Sequence, residues 1–282
     1  MTTGLALWLG FTAAAGGVLG SMLGLGGGIV IVPVFTLLLG LPIHTAIGAS
    51  LVAVVANASA AATVHLTTRL TNIRLAFVLA TVTAAGALIG GLVGTSLAAP
   101  WLTGVFGVTL AVVGIVMFLR PEISPAERSV PFAPQGSTDL DGEYFDPASQ
   151  ARIAYHPVAL RGGLPLSFLA GNIAGMLGLG GGIVQVPLMN LIMGLPIKAA
   201  AATSSHIISL TATAGAVVYL ARGFIDPVIT AVTVVGVYLG ARTGARLAQV
   251  LPAVIIKRVF SVVLLYTAVR MLVIALDLPA LS

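Results

Sequence analysis

Cysteine is absent from the 282-residue chain, acidic residues number only eight, and charged residues of both signs make up 7% of it. Without cysteine there are no disulfides, no thiolate metal sites and no thiol nucleophile. A soluble domain carries about 25% charged residues, so this chain has too little polar surface to face water all round. With 58% hydrophobic residues it reads as an all-α integral membrane protein. Runs of alternating ten-residue strands, the mark of a membrane barrel, are missing. The opening MTTGLALWLGFTAAAGG has no basic n-region, so it is expected to stay as a structural helix and not to be cleaved. A net charge of +5 could suggest nucleic acid, but the Lys and Arg stand singly at segment ends and form no basic stripe. No Walker A sequence occurs, so the chain does not power itself with ATP. No cofactor or metal ion is expected.

What the sequence does have is length in its apolar stretches. Residues 4–22, 43–66, 75–98, 101–119, 158–177, 199–221, 228–250 and 253–275 each approach the roughly 20 residues that cross a hydrocarbon core. Residues 24–50 match residues 178–204 at 16 of 27 positions, an offset of 154. A weaker match sets GALIGGLVGTSLA at 86–98 against GVYLGARTGARLA at 236–248, small-residue faces suited to close helix packing. The reading is two homologous membrane repeats, 1–119 and 158–282, each with about four hydrophobic helices and a glycine-broken hairpin. Between them, residues 120–157 form a polar linker; with the four residues that follow, it holds six of the eight acidic residues and is expected to be irregular. The small-residue faces permit a homodimer or are consumed inside one bundle.

Two topologies remain open. If the 11-residue pieces 29–39 and 183–193 complete the crossings begun before their glycines, the repeats are parallel; if they are re-entrant, the repeats are inverted. The positive-inside tendency favours inversion. With the linker cytoplasmic, it gathers Arg69, Arg74, Arg120, Arg128, Arg152, Arg161, Arg242, Arg246, Lys257 and Arg258 on one side and leaves mainly Arg222 and Arg270 opposite.

GLGGGIVIVP at 24–33 and GLGGGIVQVP at 178–187 are the candidate functional feature. A helix that stops inside a membrane leaves amides and carbonyls unpaired, at several kcal/mol each if they face lipid. Such breaks therefore line protein or a wet cavity. Gly26, Gly27, Gly28 and Gly180, Gly181, Gly182 supply the conformational freedom. Each following short helix would aim its N-terminal amides, and the positive end of its dipole, at the break, which favours an anion. The competing reading is that the glycines only permit tight packing. A dinucleotide fingerprint fails, because the third glycine of GxGxxG and its downstream acid are missing.

Polar residues beside the breaks complete the candidate substrate site: Ser50 and Asn57 in the first half, and Gln185, Asn190, Ser204 and His206 in the second. Ser50 and Ser204 are repeat mates, whereas Gln185 replaces Ile31 and His206 replaces Val52. For each hydroxyl the alternative is a bond to the carbonyl four residues back. His206 could hold an oxyanion or carry a proton, or simply pack. Arg242, inside the hydrocarbon boundary, is a candidate for attracting an anion, with snorkelling as the rival. His44 and Lys198 read as interfacial residues.

A GLGGG break, a hydrophobic-proline segment, GLPI and a small-residue helix with serine, all present twice, resemble the TauE/SafE sulfite-exporter family, also called the toluene sulfonate uptake permease family. The resemblance covers nearly the whole chain. It implies a secondary transporter for sulfite, sulfoacetate or a related organosulfonate in the bacterial inner membrane; export is the expected direction because a cell that is negative inside drives anions out. The lack of a paired acid and base in the apolar segments argues against an enzyme, and the scattered Lys and Arg argue against a nucleic-acid partner. An anion channel, or a carrier of another small oxyanion or carboxylate, is the alternative.

Overall fold

The computed structural model describes residues 3–67, 70–119, 140–146, 151–250 and 253–276. Helices form at all eight apolar stretches: α1 (Thr3–Leu23), α3 (Ile43–Thr67), α4 (Ile73–Ser96), α5 (Ala99–Leu119), α6 (Leu160–Leu177), α8 (Ile197–Ala221), α9 (Pro227–Val250) and α10 (Ala253–Ala275). Two short pieces follow the glycines. One is α2 (Gly28–Leu37); the other is α7 (Gly182–Pro187), which runs on into a wider π-turn at Leu188–Ile192. Five of the long helices, α3, α4, α5, α8 and α9, are long and apolar enough to cross a membrane by themselves. Their outward faces carry Phe77, Leu88, Leu92, Val112, Phe118, Val235 and Leu239 exposed, as a lipid-facing surface requires.

Chain direction is fixed by glycine contacts. Gly236, Gly240 and Gly244 of α9 lie against the carbonyls of Gly10, Ala14 and Val18 in turn, so α1 and α9 run the same way. In the other half, Gly171 and Gly175 of α6 lie against the carbonyls of Thr83 and Ala87, so α6 and α4 also run together. By contrast, α5 and α10 run oppositely: Gly104 meets Ala275, Gly107 meets Leu272 and Gly114 meets Leu265. The start of α3 lies beside the end of α8, where His44 stacks on Phe224 at 4.9 Å. Past the far end of α3, Asn72 N–H donates to Thr203 Oγ1 near the start of α8 (3.1 Å). Glycine without a Cβ is what allows these backbones to touch. The small-residue faces at 86–98 and 236–248 are therefore occupied inside the bundle, by α6 and α1.

The short helices α2 and α7 do not finish a crossing. At 10 residues, α2 is about 15 Å long against a hydrocarbon core of roughly 30 Å. It folds back on α1, with Gly16 beside Ile31 and Val30. The second half does the same, and Val158 N–H closes its hairpin on Met193 O (3.0 Å).

The linker differs from the irregular segment expected of it. In its described part, β1 (Gly142–Asp146) pairs antiparallel with β2 (Ala151–Tyr155), Gly142 opposite Tyr155 and Asp146 opposite Ala151. Tyr144 and Tyr155 are buried, and Asn72 Nδ2 donates to Leu140 O at 2.7 Å. His156 Nδ1 lies 2.9 Å from Asp141 Oδ1. Docking against the α3–α4 turn gives a polar, acidic segment the fixed partners that its composition alone does not reveal.

Candidate functional site

Both breaks are built from left-handed glycines. Gly24, Gly26 and Gly27 have φ of 65°, 82° and 80°; Gly178, Gly180 and Gly181 have 72°, 70° and 90°. Other residues pay for that conformation. In the first break, Leu25 and Gly26 N–H both turn back to Gly20 O (2.8 and 3.3 Å). The new helix then starts with Val30 and Ile31 N–H on Gly27 O (3.1 and 3.2 Å). In the second, Val184 and Gln185 N–H take Gly181 O (3.2 and 3.0 Å). The amides of Gly28, Ile29, Gly182 and Ile183 precede these first intrahelical bonds, as the leading donors of a helix must.

The two breaks meet. Gly28 lies against Gly178 O, and Gly182 against Gly24 O, so closely that a side chain at either glycine would collide with the opposite backbone. Ser50 Oγ donates to Gly178 O (2.9 Å), and its repeat mate Ser204 Oγ donates to Gly24 O (3.0 Å). Each serine thus satisfies a carbonyl freed where the other half's helix stops. Both are fully buried. Val54 and Ile208, themselves 154 residues apart, both reach Gly26 and Gly180 and fill the space between the breaks.

The remaining candidates are distributed unevenly. Asn57 is 1% exposed; its Nδ2 reaches Gly17 O at 3.4 Å and its Oδ1 has no partner. It sits against Gly27, 2.8 Å from where a Cβ would be. Gln185 is 0% exposed, with Nε2 on Ser167 Oγ at 3.1 Å and Oε1 unpartnered. His206 is half-buried and its Nδ1 has no partner. Asn190 lies in the π-turn, where Nδ2 donates to Leu195 O (2.8 Å) and closes the hairpin away from the breaks. Arg242 is not brought to the breaks. The glycine face of α9 is taken by α1, so Arg242 is exposed on the other side, 5.9 Å from the Tyr238 ring. His44 lies at the end of the bundle away from the linker, with Nε2 3.1 Å from Leu97 O.

Sequence reasoning missed Ser167, Val54 and Ile208. Ser167 lies outside the matched 24–50 and 178–204 segments, and two aliphatic residues in an apolar helix carry no signal by themselves. The one available clue was that Val54 and Ile208 occupy equivalent positions. Among the described residues no cluster of His, Cys, Asp or Glu could hold a metal ion.

A multi-pass bundle whose re-entrant helices break against each other in its interior belongs to the class of membrane transporters, and relatives bear this out. The family model for sulfite exporter TauE/SafE matches residues 9–271, and the chain belongs to that family. It is 25% identical over 256 residues to the probable membrane transporter protein YunE of Bacillus subtilis, covering 88% of this chain and 90% of that protein. It is also 27% identical over 199 residues to the probable membrane transporter protein MamO of Magnetospirillum gryphiswaldense, 66% of this chain and 31% of that one. A 101-residue stretch, 35% of this chain and 22% of its relative, is 31% identical to sulfite exporter TauE/SafE family protein 2 of Arabidopsis thaliana. No solved structure matches. The bacterial inner membrane is the setting that fits the bacterial relatives.

Proposed function

We propose that this chain is a secondary transporter that exports small sulfur-containing anions, such as sulfite or sulfoacetate, by alternating access around the two glycine breaks. The observation that carries the reading is the meeting of the breaks, each start of a re-entrant helix set against the other half's freed carbonyl. Leading helix amides and the positive dipole end favour an anion. Asn57 and Gln185 add polar side chains, and among the described residues no buried carboxylate opposes it. Membership of the sulfite-exporter family supports sulfur oxyanions as cargo.

The helix directions support inverted repeats. Of the counterparts 154 residues apart, α3 runs opposite to α8 and α5 opposite to α10, as expected of transporters built on an in-plane pseudo-twofold. Arg74, Arg152 and Arg161 then lie on the linker side, which supports a cytoplasmic reading of that side. For an anion leaving a cell that is negative inside, the potential supplies about 2.3 kcal/mol per charge per 100 mV, which supports export. Val54 and Ile208 packed across both breaks favour a carrier over an open anion channel.

The test is radiolabelled sulfite and sulfoacetate flux in proteoliposomes of defined potential. Saturable flux, accelerated when the potential drives anions out of the linker side, is expected. Absence of saturable flux for either anion sinks the sulfur-anion reading, and large non-saturating currents would replace the carrier with a channel.

A further inference from the structure

Gln185 and Ser167 form a closed pair in the second half alone. Both are 0% exposed, and among the described residues the only side-chain partner of either is the other, at 3.1 Å. The equivalent positions in the first half are Ala13 and Ile31, both apolar and buried. The first half has neither member of the pair. Gln185 follows Gly182 by three residues on the same side of the short helix, and Gly182 abuts Gly24 O and Leu25 of the opposite break.

With Nε2 on the serine oxygen, three bonding positions are left over: Oε1, which has no donor, the Ser167 hydrogen, which has no acceptor, and the second Nε2 hydrogen. A buried polar atom without a partner costs about 1–3 kcal/mol. The two ends of an amide are distinguished by their hydrogen bonds. Turning this one end for end keeps every heavy-atom distance. Ser167 then donates to Oε1, and the only group left over is Nε2 with two hydrogens.

Resting on the transport reading above, we propose that Ser167 is a positioning residue that holds the Gln185 amide donor-outward, and that Gln185 Nε2 hydrogen-bonds the transported oxyanion. A sulfite or sulfonate, with several unprotonated oxygens, matches a donor that accepts nothing in return. Because only the second half carries it, the pair gives a nearly symmetric centre one polar side, and the anion is held off the pseudo-twofold axis.

The experiment is sulfite flux in proteoliposomes of the full chain, with KM and Vmax read separately. Ser167→Ala, which installs the residue of the first half, should raise KM about tenfold, the loss of one hydrogen bond to a charged group, and leave Vmax within about twofold. Gln185→Leu should raise KM by a similar factor, and the double variant by no more than either alone, since the serine acts through the amide. Ser167→Thr, which keeps the hydroxyl, should restore wild-type KM. An unchanged KM in Ser167→Ala, or effects that multiply in the double variant, overturns the inference while transport stands. If Ser167→Ala does not yield monodisperse protein, Ser167→Cys, close in size and a weak donor, is read the same way. A wild-type protein with no saturable sulfite flux overturns the transport reading and the inference together.

Discussion

The two breaks differ at their third glycine, crowded at Gly27 and roomy at Gly181, although the glycines repeat residue for residue. A Cβ on Gly27 would lie 2.8 Å from both Asn57 Nδ2 and Gly16 O; one on Gly181 would lie 3.4 Å from Ala174 and 3.5 Å from Thr211, ordinary contacts. Two neighbours make the difference: Asn57, whose counterpart is Thr211, and the Gly16 carbonyl of α1, which comes as close to Gly27 while no backbone atom stands that near Gly181. Downstream of the glycines the asymmetry reverses. The first short helix stays α-helical past Pro33, whereas the second loosens after Pro187 into the π-turn that carries Asn190. Insertions of this kind recur at functional sites. A duplicated sequence has kept its backbone breaks and let the side chains around them diverge, so shape is shared between the halves and polarity is not.

That comparison can be broken in order of expected effect. Gly28→Ala and Gly182→Ala should be the most damaging, each near the upper end of overpacking costs at about 3 kcal/mol, because each drives a methyl into the opposite half's carbonyl. Thermal unfolding in detergent measures it, and a mild effect in either would mean that the breaks part easily. Next, Gly27→Ala should cost about 1–2 kcal/mol more than Gly181→Ala: both pay for a left-handed φ, but only the first also collides. Equal losses of Tm would show that crowding at Asn57 is of no consequence. Ser50→Ala and Ser204→Ala should each cost about 1–2 kcal/mol, and equally, since each frees one buried carbonyl. Unequal losses would extend the asymmetry to the backbone.

The smallest effect concerns the linker, outside the membrane. Burial pushes the Tyr155 phenol above its ordinary value of 10.0, against a smaller opposing effect of its hydrogen bond with the Asn72 side chain. The docked form therefore holds its proton more tightly than the free segment does. Its contribution is complete below pH 10 and fades as pH rises through the elevated value. Proteolysis of the linker should accelerate only on the alkaline side, and Tyr155→Phe should abolish that dependence.

Much of the fold was legible because a membrane leaves few options. Stretches long enough to cross must be helices, and the eight apolar stretches match eight helices to within two or three residues. The positions of the breaks were legible from the triple glycines and the proline after them. What the breaks do to each other was not: Ser50 and Ser204 read as ligand contacts, and the structure has them holding Gly178 O and Gly24 O, contacts 128 and 180 residues apart in sequence. Arg242 drew notice as a charge inside an apolar helix, yet which face of α9 is buried depends on α1, more than 200 residues away. The pairing of 142–146 with 151–155 was hidden because the burial of Tyr144 and Tyr155 and the contact of Leu140 with Asn72 are not visible in a polar, acidic composition.

Val54 and Ile208 bear on leakage. Each touches both breaks, so neither short helix can draw back without unseating the same two side chains, and the halves are geared to one another. An aliphatic constriction of this kind sheds water, which interrupts any file of solvent along which protons could hop. A membrane transporter closed in this way would keep its proton permeability low.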